Sequence, residues 1–175
     1  MLTKENNKTI PYSFRIDNEV YLELESEARK KSVSINSLLN QVTKDYFFKK
    51  NFEKLACIPV PLDILRDVFD SADENILAKK ADKLGSNHAI EYVQSLYHDM
   101  TKATAIKFLD VWFGRFSKFE HEIHGSTHSY SVQHDINEKY SVFMKEFVKS
   151  FCETILRVPV KIQATQRMIT FSFSS

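Results

Sequence analysis

The sequence predicts an α+β protein built in two parts. An alternating apolar segment near the N-terminus is followed by two amphipathic helices, and two hairpin-like segments flank a long helix near the C-terminus. Between these parts, Pro59 and Pro61 interrupt any helix. We therefore expect a strand and two helices over residues 1–52, and an α+β domain over residues 56–175. In that second domain we expect a four-stranded antiparallel sheet with helices on its apolar face.

The composition is that of a folded chain of ordinary size. The 175 residues are 43% hydrophobic and include 14 phenylalanines, which suits a core filled by large rings. The 24 basic and 23 acidic side chains nearly balance, which excludes a polybasic protein that neutralises phosphate over its whole surface. Only 3 glycines are present, and neither GxGxxG nor GxxxxGK[ST] occurs, so no glycine-rich phosphate loop is expected.

The sequence also predicts a cytoplasmic protein without a membrane partner. Cys57 and Cys152 are far apart and form no CxxC motif, which fits a reducing compartment. The first residues, MLTKENNKTIPYSF, contain no apolar stretch of the kind that marks a signal peptide. No uncharged run approaches the ~20 apolar residues that a membrane span requires.

The first predicted element is a strand over residues 10–17. Apolar side chains occupy every second position of this segment, namely Ile10, Tyr12, Phe14 and Ile16. Alternation with a period of two gives a strand one apolar and one polar face. Asp17 or Asn18 suits the start of a first helix, and Ser34 suits the start of a second. Each helix carries one apolar stripe, formed by Val20, Leu24 and Ala28 in the first and by Leu38, Leu39, Val42 and Tyr46 in the second.

This N-terminal part cannot be stable as a single copy. A lone strand leaves its backbone groups without partners, and about 45 residues are too few for a good core. Two copies remove both deficits, because their strands form an antiparallel ribbon and their four helices share one core. The sequence therefore predicts a homodimer at this end.

The segment YSFRIDNEVYLELESEARKKSVSINSLLNQVTKDYF resembles the ribbon-helix-helix family of DNA-binding proteins, of the MetJ, Arc and CopG type. The resemblance covers roughly residues 9–50 and includes the alternating strand, the acidic start of the first helix and the Val-Ser-Ile-Asn-Ser entry to the second. It implies a dimeric ribbon in the major groove of double-stranded DNA, with outward strand side chains on base edges. It also implies that the start of the second helix binds phosphate through backbone N–H groups.

Carried over by position, the resemblance implies seven DNA-contacting residues. They are Pro11, Ser13 and Arg15 on the outward face of the strand, Lys8 before it, and Ser34, Asn36 and Ser37 at the start of the second helix. Arg15 suits a guanine, to which it can donate two hydrogen bonds. Two positions depart from the family pattern. Ser32 replaces the usual glycine between the helices, so that position requires either a strained turn or another turn geometry, and Pro11 offers no donor.

The C-terminal domain is predicted from periodicity alone. Helical stripes indicate helices at 62–69, 72–84 and 101–116, with Gly85 ending the second of them. Residues 88–98 are compatible with helix or strand, with helix favoured. Alternation then predicts a hairpin over 119–136, a long helix over 137–156 and a second hairpin over 158–173.

Four histidines lie in or beside the first predicted hairpin, at positions 121, 124, 128 and 134. Alternation places His121 and His134 on the inner face of the sheet, whereas His124 and His128 flank the turn and are expected in solvent. His121 and His134 are open to four interpretations: packed core residues, ligands of a metal ion such as Zn, Ni or Cu, polar contacts to a ligand, or groups that respond to pH. Nickel-responsive regulators of the NikR type share the general architecture, but the histidine spacing here differs from theirs. No other cofactor is expected.

The leading interpretation is a homodimeric, sequence-specific DNA-binding regulator of transcription, a repressor. Its C-terminal domain would sense a small-molecule or metal effector, or bridge two dimers into a dimer of dimers. One alternative is an antitoxin that binds its toxin through the C-terminal part, although such tails are usually short and polar. The other is a small-molecule-binding or enzymatic domain on a dimerisation module. No recognisable nucleophile, base or phosphate motif supports an enzyme.

Overall fold

The computed structural model of the chain describes residues 10–54 and 58–175. Contacts between residues divide the chain into two compact units, with the boundary between Phe47 and Phe48. That boundary falls inside the second helix, a few residues before the division predicted between residues 52 and 56. Within the described ranges, no helix is long and apolar enough to cross a membrane.

The N-terminal unit contains helix α1 (Asn18–Lys30) and the first part of helix α2 (Ile35–Lys54), which continues past the boundary. Residues 10–17 form no strand in the single chain, and every residue of this segment is exposed. A strand exists only where its backbone groups meet those of a neighbouring strand, and the described residues supply none here. The predicted strand, and with it the ribbon-helix-helix arrangement, therefore stays a prediction that depends on a second copy.

The turn between α1 and α2 is the strained one of the two forms that the sequence left open at Ser32. Ser32 has a φ of +55°, in the left-handed region that favours glycine. Its amide donates to the carbonyl of Arg29 (3.1 Å), and the Val33 amide donates to the carbonyl of Ala28 (3.0 Å). These two bonds form a Schellman motif that satisfies the last carbonyls of α1. Ser34 then caps α2 as predicted, accepting from the Ser37 amide at 3.1 Å.

The C-terminal unit is an α+β fold with one four-stranded antiparallel sheet, as predicted. Its helices are α3 (Leu62–Ser71), α4 (Glu74–Lys83), α5 (Ala89–Tyr97), α6 (Lys102–Phe113) and α7 (Glu138–Phe151). Its strands are β1 (Lys118–His124), β2 (Thr127–Gln133), β3 (Lys161–Ala164) and β4 (Met168–Ser174). The strand order is β1-β2-β4-β3, and every neighbouring pair is antiparallel.

The core lies between the inner face of this sheet and the helices. Phe113 of α6 lies with its ring centroid 5.4 Å from that of Phe171 in β4 and 6.4 Å from that of Tyr130 in β2. Phe113 and Phe147 are fully buried, so aromatic rings supply much of the buried apolar area. Because β2 and β4 alternate between buried and half-buried residues, the same strands present a polar outer face.

Gly85 does not end α4, so this prediction is wrong. The chain continues from α4 through a π-helical turn, Leu84–His88, directly into α5. A Cβ atom at residue 85 would overlap the carbonyl oxygen of Phe147 in α7 and would lie 3.1 Å from the backbone nitrogen of Phe151. Glycine is therefore needed for the close approach of this turn to α7.

Candidate functional site

The predicted strand face that would contact DNA is exposed in the N-terminal unit. Pro11, Ser13 and Arg15 all lie at the surface, and Arg15 forms no ion pair with any described residue. The apolar positions between them are also exposed, with Ile10 at 85% and Phe14 at 57%. Such side chains are usually buried in a folded protein, so the segment presents an apolar face with no partner among the described residues.

The start of α2 has the features of an anion-binding helix end. Ser34, Asn36 and Ser37 are exposed within one turn, and the Ser34 and Ser37 hydroxyl oxygens lie 2.8 Å apart. The amides of Ile35 and Asn36 come too early in the helix to have an intrahelical acceptor. No acidic side chain lies in this first turn, so the positive end of the helix dipole is open to an anion. Lys8, the remaining predicted contact, lies outside the described residues.

The cations at the end of α1 are paired within their own helix. Glu25 contacts Arg29 at 3.1 Å, and Glu27 contacts Lys30 at 3.8 Å and Lys31 at 3.3 Å. Exposed pairs of this kind contribute little to stability, but they reduce the positive potential around α1. Arg15, by contrast, lies on the strand face predicted to contact DNA, and no described carboxylate neutralises its charge.

An open groove lined by both apolar and charged side chains lies between α1 and α2. It has a volume of about 480 Å³, and its apolar lining is formed by Val20, Leu24, Leu38 and Val42. Ala28 and Leu38 are buried, whereas Val20 and Val42 remain 45% and 48% exposed. The apolar stripes predicted for both helices are therefore only partly covered within the described unit.

The structure does not bring together the two histidines proposed as metal ligands. In the β1–β2 register His121 lies opposite Tyr130, while Lys118 lies opposite Gln133, the residue before His134. The two candidates thus lie at different ends of the hairpin. Among the described residues, no group of three or more histidine, cysteine or carboxylate side chains is arranged to hold a metal ion.

His121 instead bonds to His128, which the sequence wrongly assigned to solvent. His128 is 8% exposed, because it points from β2 to the inner face beside Phe173, with ring centroids 5.3 Å apart. The Nε2 atom of His121 lies 2.9 Å from Nδ1 of His128, and Nε2 of His128 lies 3.1 Å from Oγ of Ser175. His124 is exposed, as predicted.

Asp110 of α6 completes this histidine cluster, which we define as Asp110, His121, His128, Tyr130 and Ser175. One carboxylate oxygen of Asp110 lies 2.8 Å from Nδ1 of His121 and accepts a hydrogen bond from the Tyr130 hydroxyl at 3.1 Å. Burial raises the pKa of Asp110, opposed by the nearby His121. Burial also lowers the pKa of His128, and the charge of His121 acts in the same direction. The cluster therefore links α6 to β1 and β2 through buried His128 and Tyr130, while the Asp110 side chain remains 40% exposed and Ser175 lies at the surface.

Sequence reasoning missed Asp110 because a single carboxylate in an amphipathic helix belongs to no motif. The available signal was its position between Leu109 and Val111, two apolar residues that are both buried. A carboxylate so placed needs a hydrogen-bond donor nearby.

His134 lies outside the histidine cluster and bonds to α7 instead. Its Nε2 atom lies 2.8 Å from the hydroxyl oxygen of Ser141 in α7, and its Nδ1 accepts from the Ile136 amide at 3.1 Å. Burial lowers the pKa of His134 to about 4, so the ring is neutral at physiological pH. Both ring nitrogens are occupied by protein groups, which matches the packed-core interpretation of this histidine.

Comparison of the chain with models of known protein families gave no match. Comparison with curated proteins gave no match either. The function is therefore inferred from the residues and their geometry.

Proposed function

We propose that the protein is a homodimeric, sequence-specific DNA-binding regulator of transcription, a repressor, whose ribbon is formed by residues 10–17 of two copies. One observation carries the proposal: the alternating apolar side chains of this segment, at positions 10, 12, 14 and 16, are all exposed in the single chain. Their burial requires a second apolar face, and the same segment of another copy supplies it. That copy also supplies the missing backbone hydrogen-bond partners.

The two helices support the same arrangement. The groove between α1 and α2 leaves Val20 and Val42 about half exposed, and Tyr46 on the same predicted stripe is 58% exposed. Helices from a second copy would bury these side chains in a shared core. Burial of apolar area is the main term that favours such association.

Dimerisation in this manner leaves a polar face directed away from the core. With the apolar residues facing inward, Ser13 and Arg15 of both strands face outward because strand side chains alternate. An arginine there can donate two hydrogen bonds to the O6 and N7 atoms of guanine. The amides of Ile35 and Asn36 at the start of α2 are available to phosphate oxygens.

The decisive experiment is selection of DNA by the purified full-length chain, followed by affinity measurement on the selected site at fixed salt. We expect a palindromic site, because the symmetry of the operator follows that of the dimer. Arg15→Ala should weaken binding to this site by about 1–3 kcal/mol and leave the helical circular dichroism unchanged.

Lys44→Ala is the matched control, since it also removes one cation but lies well inside α2, away from its N-terminus. Its effect on affinity should be less than about threefold. Equal affinities of wild type and Arg15→Ala, or no selection of DNA at all, would contradict the proposal.

A further inference from the structure

The outer face of the sheet carries two ordered rows of polar side chains. Strand register aligns Glu122, Ser129, Ser172 and Lys161 in one row, and Glu120, Ser131, Thr170 and Gln163 in the next. Each row runs from a carboxylate on β1, across two hydroxyls, to a lysine or glutamine on β3. A shallow concavity of about 440 Å³ lies over these rows.

This outer face is open to solvent, and its charges are separated. The end residues of the rows, Glu120, Glu122, Lys161 and Gln163, are exposed, and the four hydroxyl residues between them are half-buried. Lys161 forms no ion pair with a described residue, and Glu122 contacts only the exposed His124, at 3.3 Å. The β1 edge of this face thus carries Glu120 and Glu122 between Lys118 and His124, the β3 edge carries Lys161, and small hydroxyl side chains lie between the two edges.

We propose that this face binds the same face of a second copy, about a two-fold axis parallel to the strands. That rotation reverses the order of the strands, but it leaves each row at the same position along the strand direction. Glu122 then faces Lys161 of the second copy, and Ser129 faces its Ser172. Small hydroxyls at the centre permit close approach and can hydrogen-bond to one another.

The alternative two-fold axis, perpendicular to the strands, is disfavoured by charge. It would place the two β1 strands over each other, so that carboxylates of Glu120 and Glu122 would face carboxylates of the second copy. Like charges that face each other across an interface are unfavourable, so the charge pattern selects the parallel axis.

The size of the face determines how strong this association is. Three strands of seven residues, about 23 Å long, and one of four residues, about 13 Å long, spaced by about 4.8 Å, cover roughly 400 Å² per copy. The total of roughly 800 Å² is below the roughly 1,200 Å² of specific, stable interfaces. The contact is therefore weak between free chains and becomes effective when copies are held together, as the proposed N-terminal dimer would hold them. It does not depend on DNA binding.

Zero-length carbodiimide cross-linking tests the pairing, because it joins a carboxylate directly to an amine. Chains labelled with nitrogen-14 and nitrogen-15 are refolded together and cross-linked at high protein concentration and low salt. Mass spectrometry should identify a Glu122–Lys161 link between differently labelled chains, as distinct from a link within one chain.

Charge-reversal variants test whether Glu122 of one copy faces Lys161 of the other. Lys161→Glu and Glu122→Lys should each reduce this interchain link at least about tenfold, since like charges then face each other. The double variant Glu122→Lys/Lys161→Glu should restore it, with the two residues exchanging roles. Lys107→Glu, an exposed change on α6, should leave it unaltered.

Two results would overturn the inference: no interchain Glu122–Lys161 link in the folded wild-type chain, or no recovery in a double variant whose Trp112 fluorescence shows the native fold. Neither result bears on DNA affinity, which the Arg15→Ala measurement tests separately.

Discussion

The Nε2 atom of His121 and the Nδ1 atom of His128 lie 2.9 Å apart on neighbouring strands of the sheet. A hydrogen bond between two ring nitrogens requires one of them to carry no proton. The carboxylate of Asp110 accepts from Nδ1–H of His121, so Nε2 of that ring is left to bond with His128. The other ring nitrogen of His128, Nε2, lies 3.1 Å from the hydroxyl oxygen of Ser175. The cluster is thus an ordered chain of hydrogen bonds that starts at one carboxylate.

Removing that carboxylate should destabilise the C-terminal unit. Asp110→Ala leaves the Nδ1–H of His121 and the hydroxyl of Tyr130 without their acceptor. We expect a loss of about 2 kcal/mol in the free energy of unfolding, since unpaired buried donors are costly. Urea unfolding followed by the fluorescence of Trp112, the single tryptophan of the chain, measures it. Asp110→Asn keeps a side-chain oxygen and should lose less than half as much. Equal losses for the two variants would show that hydrogen bonding at this position is unimportant.

Acid should destabilise the C-terminal unit through His134. Its pKa of about 4 in the folded chain lies below its ordinary value of 6.5. Between these values the unfolded chain binds a proton that the folded chain does not, so stability falls as the pH decreases from about 6.5 to about 4. The loss is at most about 3.5 kcal/mol, since each pKa unit corresponds to about 1.4 kcal/mol.

The variant His134→Gln cannot titrate in this range and serves as the comparison for this pH effect. Urea midpoints measured at pH 7.5 and pH 5 should differ less for this variant than for wild type. An equal pH dependence in the two proteins would assign the acid sensitivity to other groups.

Replacing the left-handed serine between α1 and α2 should stabilise the N-terminal unit. Ser32→Gly removes the steric cost of a Cβ at a φ of +55°, and we expect a gain of about 0.5–1 kcal/mol. Ser26→Gly is the matched control, because Ser26 is exposed inside α1, where glycine should cost about 0.5 kcal/mol. Amide hydrogen exchange in α1 should slow in the first variant and accelerate in the second. Faster exchange in Ser32→Gly would contradict the prediction.

Gly85 and Gly125, two glycines of the C-terminal unit, should respond differently to alanine. Gly85→Ala forces a Cβ onto the backbone of α7 at Phe147, and we expect a loss of roughly 3 kcal/mol or more. Gly125→Ala, in the β1–β2 turn, meets no atom within 4 Å and bears only the strain of a φ of +63°, about 1 kcal/mol. The free energies of unfolding of the two variants, measured through Trp112 fluorescence, should differ accordingly. Similar losses would mean that the turn before α5 moves away from α7 without cost.

Local patterns were sufficient to predict most elements of the chain. Periodicity of two and of 3.6 depends only on residues a few positions apart, so the helices, the order hairpin-helix-hairpin and the four-stranded sheet were all predictable. The cap at Ser34 was predictable for the same reason, since it involves atoms within one turn of helix. The Ser32 position was singled out by the family resemblance, and the structure decided that its turn is strained.

The sequence by itself thus determined the α+β class, the antiparallel sheet and the cap at Ser34, because short-range periodicity and local hydrogen bonds specify them. Only the tertiary structure decided that Gly85 lies against α7, that His128 is buried, and that Asp110 meets His121. Those contacts join segments far apart in the chain, and no local pattern records which segments will meet. The ribbon proposed for residues 10–17 requires one step more, because a strand there needs a backbone partner that the single copy does not supply.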